Sequence, residues 1–209
     1  MPTRPRPAAR PPAPSLTARQ EERRQRILRA TALLAARGGF EAVQMREVAE
    51  GSQVALGTLY RYFPSKIHLL VATLNDQLRQ LHATLGKRPP TAAAPDERVA
   101  ETLLRAFRAM RREPLLADAM VRALTFADRS ASAEVATVSR LTTAIILDAM
   151  RCPEPPTAQQ LSAIRVIEHT WLSALVDRLS GRASIAQVTL DITTASRLIA
   201  APAAPPPAG

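Results

Sequence analysis

The 209-residue chain is long enough to bury a core and a ligand pocket, and its 28 Lys and Arg against 18 Asp and Glu leave a net charge of +10 that favours polyanionic partners. Cys152 is the only cysteine, which excludes an intrachain disulfide and a cysteine-based zinc site and points to a reducing compartment. No apolar run approaches the roughly 18 residues of a membrane span, and Pro and Arg stand where a signal peptide needs an apolar stretch, so a cytoplasmic protein is expected.

The charge is unevenly spread. Residues 1–66 carry 12 basic and 5 acidic side chains (+7), whereas residues 67–209 carry 16 and 13 (+3), so the two ends are expected to do different work. In chain order, residues 1–17 form a Pro/Arg-rich tail that cannot sustain a helix or a core and is expected to be disordered. Its Arg4, Arg6 and Arg10 either touch phosphates nonspecifically or are simply solvated. Thr17 with Gln20 makes a capping-box pattern that opens a helix over about 18–37, with Ile27, Ala30, Thr31 and Leu34 on one face and Gly38-Gly39 at its end. Two short helices follow near 45–51 and 55–62, and Pro64-Ser65 opens a long one reaching about Leu85.

The stretch 87–95 breaks the pattern. Beyond it Val99, Leu103, Ala106, Phe107 and Met110 keep one apolar stripe, and Pro114 restarts the chain into a helix over 115–127. A further helix covers 132–150 and stops at the CPEPP segment. Capping boxes at Thr157 with Gln160 and Ser184 with Gln187 then open helices over 157–180 and 184–199, before a second tail at 201–209. No stretch alternates long enough to make a strand, so the expected fold is all-α with about nine helices.

Residues 45–63 read as two short helices joined by a tight connection, the helix-turn-helix arrangement in which the second helix lies in the major groove and the first braces it. Val48, Ala49, Val54, Leu59 and Phe63 fit the positions that pack the pair. The outward set is then Ala55, Leu56, Gly57, Thr58, Tyr60, Arg61 and Tyr62, with small residues for close approach, hydroxyls for phosphate and one guanidinium. Four of the seven aromatics fall in residues 40–63; Phe40 and Phe63 are expected in the core, and the tyrosines flanking Arg61 outside it.

The runs GFEA at 39–42, MREVA at 45–49 and GTLYRYFPSK at 57–66 resemble the N-terminal signature of the TetR family of one-component regulators. The resemblance implies a DNA-binding domain over 18–82, with its motif at about 44–63, and a ligand-binding and dimerisation domain over 83–200. It also implies DNA contacts by Gln44, Thr58, Tyr60, Tyr62 and Lys66, with Lys66 at a helix N-terminus adding its charge to the exposed N–H groups there. Base reading falls to Ala55, Leu56, Gly57 and Arg61, the first two against thymine methyls and Arg61 against a guanine edge. One departure stands out: the family has Ala-Gly before the valine of the turn where this chain has Ser52-Gln53, which puts a non-glycine residue in the turn. The runs at 38–50 and 54–74, and further runs at 112–128 and 165–175, are similar to the steroid-catabolism repressors that actinobacteria possess within this family. That likeness implies release by coenzyme A thioesters of steroid acids.

For such an effector the candidate pocket walls are Phe107, Met110, Leu115, Met120, Leu124, Phe126 and Trp171, although residues at helical spacing are more often plain core. Met110, Met120 and Met150 fit a cavity that adapts to its ligand. Arg111, Arg112 and Arg122 either meet the phosphates of a coenzyme A tail or lie on a solvated helix face. Two-fold reading of an operator implies a homodimer on double-stranded DNA, with a seam on the last two helices at Leu172, Leu175, Val176, Leu179, Val188 and Ile192.

No enzyme is expected. His68, His82 and His169 lack metal-ligand spacing or a paired nucleophile, there is no Gly-rich phosphate loop, and no cofactor or metal is implied. The competing readings are a repressor of drug efflux or fatty-acid metabolism, a helical dimer that binds partners without an operator, and an architectural DNA protein.

Overall fold

The computed structural model describes residues 16–151 and 155–200. The Thr17 cap, Cys152 and most of the expected tails lie outside the described residues. Within them all regular structure is helical: α1 (Leu16–Ala42), α2 (Met45–Gly51), α3 (Leu56–Tyr62), α4 (Lys66–Lys87), α5 (Pro95–Met110), α6 (Pro114–Thr125), α7 (Ser132–Met150), α8 (Ala158–Leu179) and α9 (Ile185–Ser196), with 3-10 turns at Arg129–Ala131 and Arg197–Ile199.

Local chemistry explains most of the boundaries. The Ser65 hydroxyl caps α4 by accepting from the His68 N–H, and proline starts both α5 and α6, where its missing N–H costs nothing. Thr157 and Gln160 form the full reciprocal box at α8. At α9 the box is only half made: Ser184 accepts from the Gln187 N–H, but the Gln187 amide turns forward to Asp191 at 2.8 Å.

At the expected end of the first helix Gly38 (φ −144°, ψ 17°) and Gly39 (φ 68°, ψ −158°) leave helical geometry, and a further turn then runs to Ala42. Neither position tolerates a side chain. A Cβ on Gly38 would meet the Ala42 Cβ at 2.6 Å, and the Gly39 conformation is one that only glycine adopts readily. Because the chain bends here, Gly39 comes up against Leu115 of α6.

The α2–α3 turn contains the anomaly that the sequence announces. Gln53 sits at φ 56°, a left-handed conformation without glycine, which costs an ordinary residue about 1–2 kcal/mol. Gln53→Gly is therefore expected to stabilise the chain by about 0.5–1 kcal/mol once glycine's extra unfolded-state freedom is subtracted. Thermal unfolding checks it; a lower midpoint would show that the glutamine side chain contributes something the turn geometry does not.

Two apolar clusters make up the core. The first joins Ile27, Leu28, Val48, Leu59, Leu69 and Leu70 from α1–α4 and continues into Leu116, Ala119, Met120 and Ala123 of α6. The second joins Phe107, Ile146, Ile164, Ile167, Val188 and Ile192 from α5 and α7–α9. The expected boundary at 82/83 thus falls inside α4, and α6 is as much a part of the first core as α4 is.

The proline-rich break at 88–94 is tied down by α5. Glu101 accepts from the backbone N–H groups of Thr91 and Ala92. Burial alone raises its pKa, but these N–H donors and the Arg105 guanidinium outweigh that and hold it below the usual carboxylate range. Arg105 also donates to the Arg88 carbonyl at 2.7 Å. Arg98, which is 9% exposed, donates to the carbonyls of Ala92 and Ala93 on one side and of Ala149 and Met150 on the other.

Candidate nucleic-acid interface and effector cavity

Val48, Ala49, Leu59 and Phe63 are buried between α2 and α3, and Val54 packs on them half-buried. With that face of α3 committed, the opposite face stands free. Gln44, Ala55, Leu56, Gly57 and Arg61 are exposed, Tyr60 is 46% exposed, and Thr58 is half-buried. Gln44 is the residue before α2 and its side chain makes no capping bond. A Cβ added to Gly57 would meet nothing within 4 Å, so the surface there is flat.

Two expected residues sit differently. Tyr62 does not stand outside: it packs half-buried on the first core, its ring centroid 6.2 Å from that of Phe63, because it is one turn from Thr58 on the edge of the helix and not at its crest. Lys66 is half-buried and already engaged. Its ammonium donates to the Phe40 carbonyl at 2.9 Å and lies 4.3 Å from the Phe40 ring centroid, so it carries that bond as well as any phosphate it meets.

Phe40 also serves a second cation. Arg122 of α6 stands 4.7 Å from the same ring centroid and donates to Glu41 at 3.2 Å. The bend near the end of α1 is thus clasped between the first residue of α4 and the last turn of α6. Phe40 packs half-buried against the first core, as its sequence position implies, and its ring is also the platform on which the half-solvated Arg122 rests. His68 adds a second tie, with one ring nitrogen 2.9 Å from the Ser65 hydroxyl and the other 3.0 Å from the Ser130 carbonyl beyond α6. His82 pairs with Asp148 of α7 at 2.6 Å.

Among the cavities between the helices below, three concern the expected effector site. Two are apolar, of about 270 Å³ each, and share Leu74, Leu78, Met110 and Trp171 as walls. One of them adds Leu116 and Met120 of α6, and the other Val121, Leu124, Val138 and Thr142. The third, about 410 Å³, is bounded by Phe107, Met110, Arg111, Leu175 and Arg178. Of the sequence-named candidates, Met110, Met120, Leu124 and Trp171 line one or both apolar cavities, and Phe107 lines the third.

Leu115 and Phe126 line none of these three cavities. Leu115, in the first turn of α6, faces the Gly39 bend. Phe126, 65% exposed, follows the last turn of α6, where the chain has left the helical stripe. Met150 lies in the second core away from the cavities. The walls supplied by α4 escaped the sequence reading, although Leu74, Leu78 and Leu81 recur at helical spacing.

Among the expected seam residues, Leu172, Val176 and Leu179 are half-buried, while Leu175, Val188 and Ile192 are buried in this chain's own second core. Their spacing marks the face of α9 that packs on α5 and α8. The apolar groups left in the open on α8 and α9 are Leu161, Val166, Ile185 and Leu190.

Two short helices packed through one face, the second offering an open, acid-free outer face on a chain of +10, define a helix-turn-helix DNA-binding regulator. The profile for "Bacterial regulatory proteins, tetR family" matches residues 27–73, and that for "Tetracyclin repressor-like, C-terminal domain" matches residues 92–199. The chain belongs to the TetR family of transcriptional regulators, and its curated relatives are transcriptional repressors and not enzymes. It is 52% identical over 169 residues to the HTH-type transcriptional repressor KstR of Rhodococcus jostii, covering 81% of this chain and 78% of that one. A TetR transcriptional regulator from Rhodococcus sp. RHA1 shares its fold with a TM-score of 0.81 at 36% identity, covering 87% of this chain and 97% of the other. The FadR repressor of Thermus thermophilus, crystallised with lauroyl-CoA, aligns with a TM-score of 0.64 at 20% identity, over 89% of this chain and all of that one (100%), which is a likeness of fold.

Proposed function

We propose that the chain is a dimeric repressor that holds an operator through α3 and releases it when a hydrophobic effector, a steroid acid or its coenzyme A thioester, fills the cavities between α4, α6 and α8. Genes of steroid or lipid catabolism would then answer to their own substrate, in the cytoplasm, on the nucleoid. The observation that carries this reading is where the cavities lie. Leu74 and Leu78 belong to α4, which begins at Lys66 beside the reading head, and Leu116 and Met120 belong to α6, which packs on α1. A ligand wedged there prefers one spacing of these helices, and release follows in proportion to that preference. The likeness to the repressor KstR supports the steroid assignment.

On DNA, Gln44, Thr58, Tyr60, Tyr62 and Lys66 take the backbone, and Ala55, Leu56, Gly57 and Arg61 face base edges. Two copies meet through α8 and α9, with Leu172, Val176 and Leu179 flanking the open Leu161, Val166, Ile185 and Leu190. The test is anisotropy of a labelled duplex from upstream of the chain's own gene, challenged with the coenzyme A thioester of lithocholic acid and with lauroyl-CoA. Release by the steroid thioester alone is expected. Release by lauroyl-CoA alone would move the effector to the fatty acids and leave the repressor reading standing.

The Arg122 clasp is a polar tie between α6 and the head. Arg122→Ala is expected to leave operator affinity without effector within about threefold and to weaken the effector's influence on it at least about fivefold, the lower end of ordinary coupling energies. An unchanged response to effector in the same anisotropy assay would remove Arg122 from the pathway.

A further inference from the structure

The third cavity differs from its neighbours in kind. It is lined by Arg111, the residue that ends α5, and Arg178, in the last turn of α8, and its walls contain no carboxylate. The acid nearest in sequence to Arg178 is already taken, because Asp177 is held by Arg182 at 2.6 Å and 2.9 Å. Arg111 has the Phe107 ring beneath it at 6.0 Å, and no ion pair occupies either guanidinium among the described residues. Met110 is a wall of this cavity and of both apolar ones, Ala117 is shared with one and Leu175 with the other. One flexible thioether therefore stands where the three lobes meet.

We propose that Arg111 and Arg178 form the anion-binding end of the effector site. An effector lies with its apolar body in the two lobes walled by Leu74, Leu78 and Trp171, and passes Met110. Its negative group, a phosphate of a coenzyme A tail or the carboxylate of a free acid, lies between the two guanidiniums. The proposal rests on the effector reading above and gives it a direction: the apolar end points toward α4 and the anionic end toward the junction of α5 and α8. Guanidinium suits either anion, since its fixed fork of donors matches two oxygens of a phosphate or carboxylate at once. Arg112, the next residue, lines none of the three cavities, and Arg122 is engaged with Phe40 and Glu41. Of the arginines that the sequence offered for this role, only Arg111 is placed for it, and Arg178 comes from a helix 67 positions further along.

The experiment is isothermal titration of the full chain with lithocholic acid, its uncharged methyl ester, its coenzyme A thioester and stearoyl-CoA. The variants are Arg111→Gln, Arg178→Gln, the double substitution, and Arg112→Gln as a control of equal charge change. The expected result is a loss of about tenfold or more for each single pocket substitution toward the anions it holds, as befits a lost charge-assisted hydrogen bond. The methyl ester is expected to bind the double variant as it binds the wild type, and Arg112→Gln to change nothing beyond about twofold. If the thioesters lose affinity and the free acid does not, the anion is the phosphate; the reverse pattern assigns the carboxylate. Arg178→Lys, which keeps the charge and loses the fork, is expected to fall between and serves should the glutamine variants fail to fold. Equal affinity of wild type and double variant for every anionic probe would overturn the proposal, as would an equal loss for the methyl ester or no binding of any anionic probe to the wild type. Failure of the steroid reading looks different: stearoyl-CoA then binds and senses both arginines while the steroid probes do not bind.

Discussion

Arg98→Leu is expected to destabilise the chain by roughly 3–5 kcal/mol, a large part of the 5–15 kcal/mol that holds a typical domain together. The guanidinium is nearly enclosed and faces no carboxylate. Its partners are four carbonyls, two at the C-terminal end of α7 and two in the break before α5. Carbonyls in the last turn of a helix lack intrahelical partners and carry the negative end of its dipole, so a cation there is doubly suited. The next residue, Arg151, is in left-handed geometry and its N–H returns to Leu147, which leaves the Ala149 and Met150 carbonyls to Arg98. Leucine fills the same space but strands those acceptors out of reach of water, and the break at 88–94 comes loose from α7 at the same time. Urea unfolding of the wild type and the variant measures the difference. A loss under about 1 kcal/mol would mean that water reaches the carbonyls and that the guanidinium is an ordinary surface contact.

Gly57→Glu is expected to weaken operator binding at least about a hundredfold while leaving the fold within about 0.5 kcal/mol of the wild type. The two halves of that statement rest on one observation. A Cβ added at Gly57 meets open space, so a side chain there leaves the helix toward solvent without a close clash. DNA lying against α3 does object, because the substitution inserts bulk where the backbone approaches the groove and a negative charge where phosphates gather. Thermal unfolding and duplex titration of the same preparation separate the effects. Normal DNA binding by a normally folded variant would place the nucleic acid on another face of the molecule.

The helices were legible because their boundaries are local chemistry. Ser65, Thr157 and Ser184 cap, Pro95 and Pro114 open, and the Gly38-Gly39 pair bends, each through atoms only a few residues away. The departure at Ser52-Gln53 was visible for the same reason, and Gln53 takes the left-handed conformation that the missing glycine would have supplied at lower cost.

What sequence alone could not reveal is which neighbour covers each apolar stripe. Val188 and Ile192 mark one face of α9 whether that face meets α5 and α8 or a second chain, and here it meets the former. Leu115 and Phe126 belong to α6 by composition, yet one lies at its first turn against the Gly39 bend and the other beyond its end, so neither reaches the cavity. Arg98 gave no signal at all. It is a charged residue in a charged helix, and its burial depends on the end of α7 arriving from 51 positions away. The clasp of Lys66 and Arg122 on Phe40 was hidden likewise, because an aromatic that bears cations and one that fills a core look the same in a sequence.

The central claim is that the free face of α3 reads a particular DNA sequence. It is tested most directly by anisotropy titration of the full chain, at physiological salt, against a duplex from upstream of its own gene and a scrambled duplex of the same composition. The account predicts two chains per site and an affinity for the native duplex at least about a thousandfold above that for the scrambled one. Equal affinity for the two duplexes would contradict it.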